Sequence, residues 1–273
     1  MNPPSNKAII VAAGRGRRLG ENTAELPKCM VRVNGRPILH WQLRAFAAAG
    51  IRDILMVRGY LGDRIDPGDF PVRFVDNPEW ERNNILASLM YAAEEFSGGF
   101  YFSYCDIVYA PSAVTRLAAS AQNLDAGSLA ASLVIDRRWA DAYQGRTLHP
   151  VSEAELAAVE SGGTAHESRV IQVGKGAVTA AQAVGEFIGL AHFSAAGAAE
   201  LGKTWQKAVG VCGLDAPFGR AKTLRQAYLT DALNAMAFAG ERLAPVYIDG
   251  EWREIDTQQD LAAAESAANL WIG

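Results

Sequence analysis

The residues best suited to chemistry in this sequence are cations and small residues near its start and two acids far downstream. From Ala12 to Gly20 the chain reads Ala-Ala-Gly-Arg-Gly-Arg-Arg-Leu-Gly, and Pro27-Lys28 follows. Small residues let backbone N–H groups approach a ligand, and a loop leaving the C-terminal end of a strand forms a concavity suited to anions. The arginines add charge that matches a polyphosphate. Position 19 is Leu, so Gly14, Gly16 and Gly20 miss the dinucleotide GxGxxG, and no Gly-Lys-Ser/Thr marks a P-loop. On glycine spacing alone, a tight turn with solvated arginines competes with a phosphate site. Lys28 favours the site, because it stands just before the next expected strand and can point back at the first loop.

Asp106 follows the apolar run Phe100–Tyr104, and Asp256 follows Trp252–Ile255. Both are expected at the carboxyl ends of strands, where open α/β sheets place ligands. Two acids from distant segments can share a Mg²⁺ that also holds triphosphate oxygens. The alternatives are a turn residue for Asp106 and, for Asp256 with Thr257, the start of the last helix. No Ser-His-Asp or Cys-His set stands out, and His40, His149, His166 and His192 show no metal-ligand spacing. A phosphate acceptor needs no strong base, being largely dianionic at neutral pH. It needs in-line positioning and neutralisation of charge, tasks that suit Lys28, Arg15 and Mg²⁺.

Asn84 and Ser88 offer amide and hydroxyl groups that can hydrogen-bond a ligand, or Asn83 and Asn84 could cap the helix that follows. The acceptor side is harder to read. Arg137-Arg138-Trp139, Tyr143 to Arg146, His149, Glu186 and Asp231 offer cations, aromatics and acids. Aromatics with acids suit an ammonium, and arginines suit a second anionic charge. Solvated surface and core packing are the competing readings.

To gather these groups the chain needs a sheet covered by helices. Lys7–Ala12, Cys29–Val33, Asp53–Val57, Val72–Val75, Phe100–Tyr104 and Ser128–Ile135 read as strands. Helices are expected from Pro37, over about Asn84–Glu95, from Pro111, near Ala195–Val209 and Leu224–Ala239, and at the Ala-rich end. Strand–helix alternation implies parallel pairing with right-handed crossovers. Arg137–Pro150 and Arg169–Phe193 read as an antiparallel insertion, and Val246–Ile248 with Trp252–Ile255 as a hairpin around Asp249-Gly250.

The chain has 273 residues, 49% hydrophobic, with net charge -4 and a pI of about 5.6. That is enough for a large core, and it argues against a nucleic-acid binder, which would need a basic stripe. Three scattered cysteines, no apolar leader and no apolar run of roughly 18 residues lead us to expect a cytoplasmic protein that does not enter a membrane. The oligomeric state stays open, a homodimer included.

The ordered set resembles a known family. Ala12-Ala13-Gly14-Arg15-Gly16-x-Arg18-Leu19, Pro27-Lys28 and Val33-x-Gly35-x-Pro37 come first; Gly59-Tyr60, Asp76-Asn77-Pro78 and Asn83-Asn84 with Ser88-Leu89 follow. Asp106-Ile107-Val108, Gly185-Glu186-Phe187-Ile188-Gly189 and Glu254-Ile255-Asp256-Thr257 complete it. This looks like the signature of nucleotidyltransferases with the GT-A-type α/β fold, and most resembles the phosphocholine and aminoalkylphosphonate cytidylyltransferases. The resemblance implies a Rossmann-like mixed, mostly parallel sheet flanked by helices, with a small antiparallel acceptor-side insertion. It implies one domain over 1–273: a nucleotide half to about 135, an acceptor half with a lid-like insertion to about 256, and a closing helix over 257–273.

By the same resemblance, Ala12, Ala13, Gly14, Arg15, Gly16, Arg18, Asn84 and Ser88 hold the nucleotide, and Lys28, Arg15 and Asp106 are catalytic. Asp106 and Asp256 carry Mg²⁺, and Arg137, Tyr143, Arg146, Glu186 and Asp231 face the acceptor. The implied activity joins CMP from CTP to a small phosphorylated or phosphonylated partner and releases pyrophosphate. The alternatives are a sugar-1-phosphate nucleotidyltransferase using UTP or another NTP, and a nucleotide-binding regulatory protein without catalysis. A GT-A glycosyltransferase would want Asp-x-Asp where this chain has Asp106-Ile107-Val108.

Overall fold

The structure, a computed structural model, describes residues 5–123, 129–162 and 167–268. Ser128, His166 and the last residues of the expected closing helix lie outside them. β1 (Lys7–Ala12) is apolar from Ala8 on and buried on both faces, as a central parallel strand requires. The expected strand over Cys29–Val33 is instead a 3₁₀ turn, Lys28–Met30, followed by β2 (Arg32–Val33) paired with β3 (Arg36–Pro37). Asn34 and Gly35 both take positive φ between them, the geometry that Asn-Gly supports in a tight hairpin. α1 (Ile38–Ala48), β4 (Asp53–Arg58) and β5 (Val72–Asp76) follow where expected. α2 spans only Ile85–Met90, and Ala93–Phe96 continues it as a separate 3₁₀ turn. Next come β6 (Phe100–Tyr104), β7 (Ile107–Tyr109) and α3 (Pro111–Asn123).

In the second half, β8 (Ala131–Asp136) and the short α4 (Trp139–Ala142) precede the hairpin of β9 (Leu156–Glu160) and β10 (Arg169–Val173). β11 (Gly185–Phe193), α5 (Ala195–Cys212) and α6 (Leu229–Phe238) come next, then β12 (Leu243–Ile248), β13 (Trp252–Glu254) and α7 (Gln258–Ala268). One nine-stranded sheet results. Its β5-β4-β1-β6 core is parallel, and β11 joins β6 antiparallel. Alternate residues of β1 enter two cores, Ile9 and Val11 with α2, α5 and α6, and Ala8 and Ile10 with α1 and α3. This is the expected mixed sheet flanked by helices.

Two expectations about the second half are corrected. Arg169–Phe193 is not an insertion over the sheet, because β11 is a fully buried central strand; only β9 and β10 are added, and Arg137–Pro150 contributes α4 and turns rather than strands. Nor do β12 and β13 form a hairpin. β12 lies parallel to β8, while β13 crosses to pair with β7, Glu254 opposite Ile107. Asp136 is the reason. Its buried carboxylate accepts from Gly250 N at 2.8 Å and Trp252 Nε1 at 2.8 Å, which turns the chain off the main sheet.

β11 also sets the geography. β8 takes one of its edges, so β6 (opposite Leu190–Phe193) and β9 (opposite Gly185 and Glu186) follow one another along the other. A bulge between Phe187 and Ala191 falls where they change over. Gly189 sits there with φ 81°, and an added Cβ would stand 2.1 Å from the Tyr104 ring, so only glycine fits.

Candidate active site

A cleft of roughly 390 Å³ opens at the carboxyl end of β1 and β6 and runs toward β9. At its centre is Lys28. The turn after Pro27 aims this side chain inward, and its stem runs along Gly16, whose φ of 66° and absent Cβ leave room; a Cβ there would lie 2.9 Å from Lys28 Cδ. Thr23 Oγ1 donates to Gly16 O at 2.9 Å and fixes the loop. Lys28 is 6% exposed, and its ammonium binds Asp106 Oδ2 at 2.7 Å and, more tightly still, Asp256 Oδ1. Burial alone would lower its pKa; the charges of Asp106 and Asp256 outweigh burial and hold it well above the usual lysine range. Arg18 Nη2 reaches Asp256 Oδ2 at 2.5 Å from the solvent side. Burial pushes the Asp256 carboxyl up, but Lys28 and Arg18 prevail and hold it far below the usual carboxylate range.

Each acid is placed by backbone from another element. Buried Gln42 on α1 donates to Tyr104 O at 2.7 Å and Ile107 O at 2.8 Å, clamping the turn that carries Asp106. Ile255 N donates to Asp106 O at 2.8 Å, which sets Asp256 beside it. Asp256 does not cap α7: Thr257 Oγ1 accepts from Asp260 N at 3.3 Å, and Asp260 Oδ2 accepts from Thr257 N at 2.8 Å. With the cap made by those two, the Asp256 carboxylate faces the cleft.

Two aspartates converging from separate strands match the oxygen donors a hard cation takes. Behind them, ligand atoms of His149, Glu254 and Asp256 lie within 4.8 Å of one another. His149 is fully buried, with Nδ1 3.2 Å from Asp256 Oδ2 and Nε2 3.5 Å from Glu254 Oε2, yet neither approach has hydrogen-bond geometry. A ring nitrogen fits Mg²⁺ poorly, so the Asp106–Asp256 pair is the better place for that ion.

On the nucleotide side, Ala13 and Gly14 line the cleft while Ala12 lies behind them in the core. Asn83 and Ser88 join a small network around buried Asn77, whose Nδ2 donates to Asn83 Oδ1 at 2.9 Å and Ser88 Oγ at 3.0 Å. Asn84 lines the cleft, and its Nδ2 donates to Gln226 O at 3.2 Å; its side chain makes no cap on α2. Arg15 is not on the cleft wall: it stacks 5.1 Å from the centroid of Tyr60, and Arg17 and Arg18 line the cleft instead.

The far end is acidic. Glu155, Glu186 and Glu254 line it, together with Lys175 on the loop after β10. Tyr104 Oη donates to Glu155 Oε2 at 3.1 Å and Tyr143 Oη to Glu186 Oε1 at 2.8 Å. Burial, resisted by Lys175, pushes the Glu155 carboxyl up to about 7. Burial and the Glu254 charge push Glu186 up to about 8. Burial, with Asp256 and Asp106, pushes Glu254 up to about 7. Arg146 is committed to Asp260 at 2.6 Å and Glu254 at 3.1 Å, with its guanidinium 4.9 Å from the Tyr143 ring centroid.

Of the residues expected to face an acceptor, Glu186 lines this end, and Tyr143 and Arg146 buttress it. Arg137 and Asp231 are elsewhere. Arg137 is paired with Asp249 at 2.7 Å on the surface, and Asp231 accepts from Tyr228 N at 2.9 Å and Arg220 N at 2.8 Å at the start of α6. Both charges are used locally. Glu155 and Lys175 carry no expected role, and His149 stands only among the group expected on the acceptor side. Asn77 stood inside a quoted motif, but nothing local distinguishes Glu155 or Lys175.

The CTP:phosphoglutamine cytidylyltransferase of Campylobacter jejuni is 28% identical over 264 residues, 93% of this chain and 97% of that protein. The choline-phosphate cytidylyltransferase of Streptococcus pneumoniae is 36% identical over 96 residues, 34% of this chain and 42% of that one. Among solved structures, the CTP:phosphocholine cytidylyltransferase of Streptococcus pneumoniae shares the fold, with a TM-score of 0.68 at 20% identity over 96% of this chain and 98% of that one. Residues 8–167, more than half of the chain, match the family described as "MobA-like NTP transferase domain". This chain, a nucleotidyltransferase by fold and by sequence, belongs to the MobA-like NTP transferase family.

Proposed function

We propose that this protein is a cytidylyltransferase that moves CMP from CTP to a phosphate or phosphonate oxygen of a small acceptor, releasing pyrophosphate. The observation that carries this reading is the Lys28 ammonium gripped by Asp106 and Asp256 at the mouth of the Gly-Arg loop. The names of the two relatives above, a CTP:phosphoglutamine and a choline-phosphate cytidylyltransferase, support it. The backbone of Ala13 to Gly16 would cradle the triphosphate. Lys28 and Arg18 would meet the charge at the α-phosphate and the leaving pyrophosphate; Arg18 takes the place the sequence reading gave Arg15. The network of Asn77, Asn83 and Ser88, with Asn84 beside it, would present the edge that selects cytosine. Asp106 and Asp256 would hold Mg²⁺, which supplies neutralisation of the triphosphate when bound. The acceptor would enter from the acidic end, its dianionic oxygen needing position rather than a base.

Pyrophosphate release tests this, measured with each of the four NTPs against phosphocholine, 2-aminoethylphosphonate and hexose 1-phosphates. CTP with one of the first two is expected to lead. A preference for UTP with a hexose phosphate would replace this reading with the sugar-nucleotide one.

A further inference from the structure

We propose that the acidic end of the cleft recognises an acceptor carrying a primary ammonium group, with N–H donors to give, in preference to a quaternary one. This rests on the transfer reaction proposed above and names the chemical class of its acceptor. Glu155 is 6% and Glu186 3% exposed, both on the cleft wall. The nearby cations are occupied: Arg146 by Asp260 and Glu254, and Lys175 by Glu153 at 3.2 Å. The side-chain hydrogen bond the fold supplies to each of these two glutamates is one tyrosine hydroxyl, with the Lys175 charge beside Glu155 and the Arg146 charge beside Glu186. Among the described residues, Glu186 Oε2 is buried with no hydrogen-bond partner. A buried acceptor left unmade is costly, and a charged donor is the partner that relieves it most.

The kind of cation follows from what that oxygen lacks. A trimethylammonium has charge but no N–H, so it would leave Glu186 Oε2 unpaired. Quaternary groups are instead held on the open faces of aromatic rings, and the rings here are engaged. Tyr104 covers Gly189 and meets Phe102 and Phe187 at their edges. The Tyr228 ring has Lys175 Nζ 5.0 Å from its centroid, and Trp252 is buried, at 4% exposure. An ammonium that donates to Glu186 Oε2 supplies the hydrogen bond that this oxygen lacks.

The test uses the full chain and a matched trio: phosphoethanolamine, its trimethylated counterpart phosphocholine, and 2-hydroxyethyl phosphate. We expect kcat/KM with CTP to favour the amine over both by at least about tenfold, the worth of one charged hydrogen bond. Glu186→Gln should bring the three close to parity while leaving the KM for CTP in place, and Glu155→Gln should weaken the same preference. Equal or better use of phosphocholine or the hydroxyl compound would overturn the proposal. So would an amine preference that survives in Glu186→Gln. Calorimetric binding of the same trio separates this from the reaction itself. Amine binding that depends on Glu186, without turnover on any NTP, would sink the transfer reading and leave the headgroup site standing; no amine preference in binding or turnover would sink the site.

Discussion

Lys28 joins the two halves of the sequence, because its ammonium is the counter-charge of one acid from β6–β7 and one from β13. Methionine at this position would keep the stem that lies along Gly16 and remove the charge. Lys28→Met is expected to lower kcat by about 10²–10³-fold, the usual cost of deleting one group that neutralises developing charge. Circular dichroism should show the fold intact, and a kcat within a few-fold of the parent would show that the lysine is only a structural counter-ion. Gly16 is bound to the same role: its positive φ and the approach of Lys28 Cδ mean that side chain and loop were shaped together.

At the scale of elements, β13 decides whether the site exists. Its crossing from β12 to β7 depends on the hydrogen bonds of Asp136 to Gly250 N and Trp252 Nε1, with a third from Arg138 N at 2.9 Å. Asp136→Ala would strand these donors. It is expected to cost about 2–4 kcal/mol in a denaturant titration, from three hydrogen bonds of roughly 1 kcal/mol each, and to reduce turnover further by loosening Asp256. A variant with unchanged stability would show that the crossing is held by something else.

This crossing also shows how far the sequence could be read. The strand–loop–lysine run from Val11 to Lys28 is contiguous, so its chemistry is visible locally. The pairing of Asp106 with Asp256 was legible only as a resemblance, since Asp249-Gly250 is an ordinary hairpin signal and nothing in it announces that Asp136 will turn the chain away. The expected insertion over Arg169–Phe193 takes in β11 for a similar reason: only tertiary contacts, such as Gly189 making room for Tyr104, mark it as a central strand. Arg137 and Asp231 looked available because their partners, Asp249 and the first turn of α6, are set by tertiary structure. Glu155 became significant only when β9 was laid beside β11.

For the whole molecule, those buried acids make stability depend on pH with an unusual sign. Glu155 and Glu186 have folded pKa values raised to about 7 and about 8. The stability each contributes is present below its unfolded value and is lost as pH rises through the folded one. His192 opposes them. It is buried beside Tyr101 and pushed down to about 4, so the unfolded chain binds its proton first and stability rises with pH between about 4 and 6.5. Glu254, raised to about 7, acts in the same direction, and three acids against one histidine leave a net loss as pH rises. Unfolding free energy is expected to fall by about 5 kcal/mol between pH 5.5 and 8, at 1.36 kcal/mol per unit. Denaturant midpoints in matched buffers would show it, and Glu186→Gln should flatten the profile; a protein more stable at pH 8 than at 5.5 would contradict the raised carboxyls.

The seam along β11 has an evolutionary side. β9 pairs with that strand at two register positions, Gly185 opposite Ala157 and Glu186 opposite Leu156, flanked by bonds from Val184 N to Ala157 O and from Phe187 N to Glu155 O, while the Gly-Arg loop follows β1 and Lys28 sits in the 3₁₀ turn. On the proposed function, the β9–β10 hairpin with the Glu155 that precedes it is the unit whose exchange would change the acceptor while leaving the transfer chemistry in place, provided that Val170, Val173 and the bonds of Asn234 to Val173 are kept. A chimaera carrying a relative's hairpin over the same two register positions should keep its CTP affinity and adopt the donor's taste in acceptors.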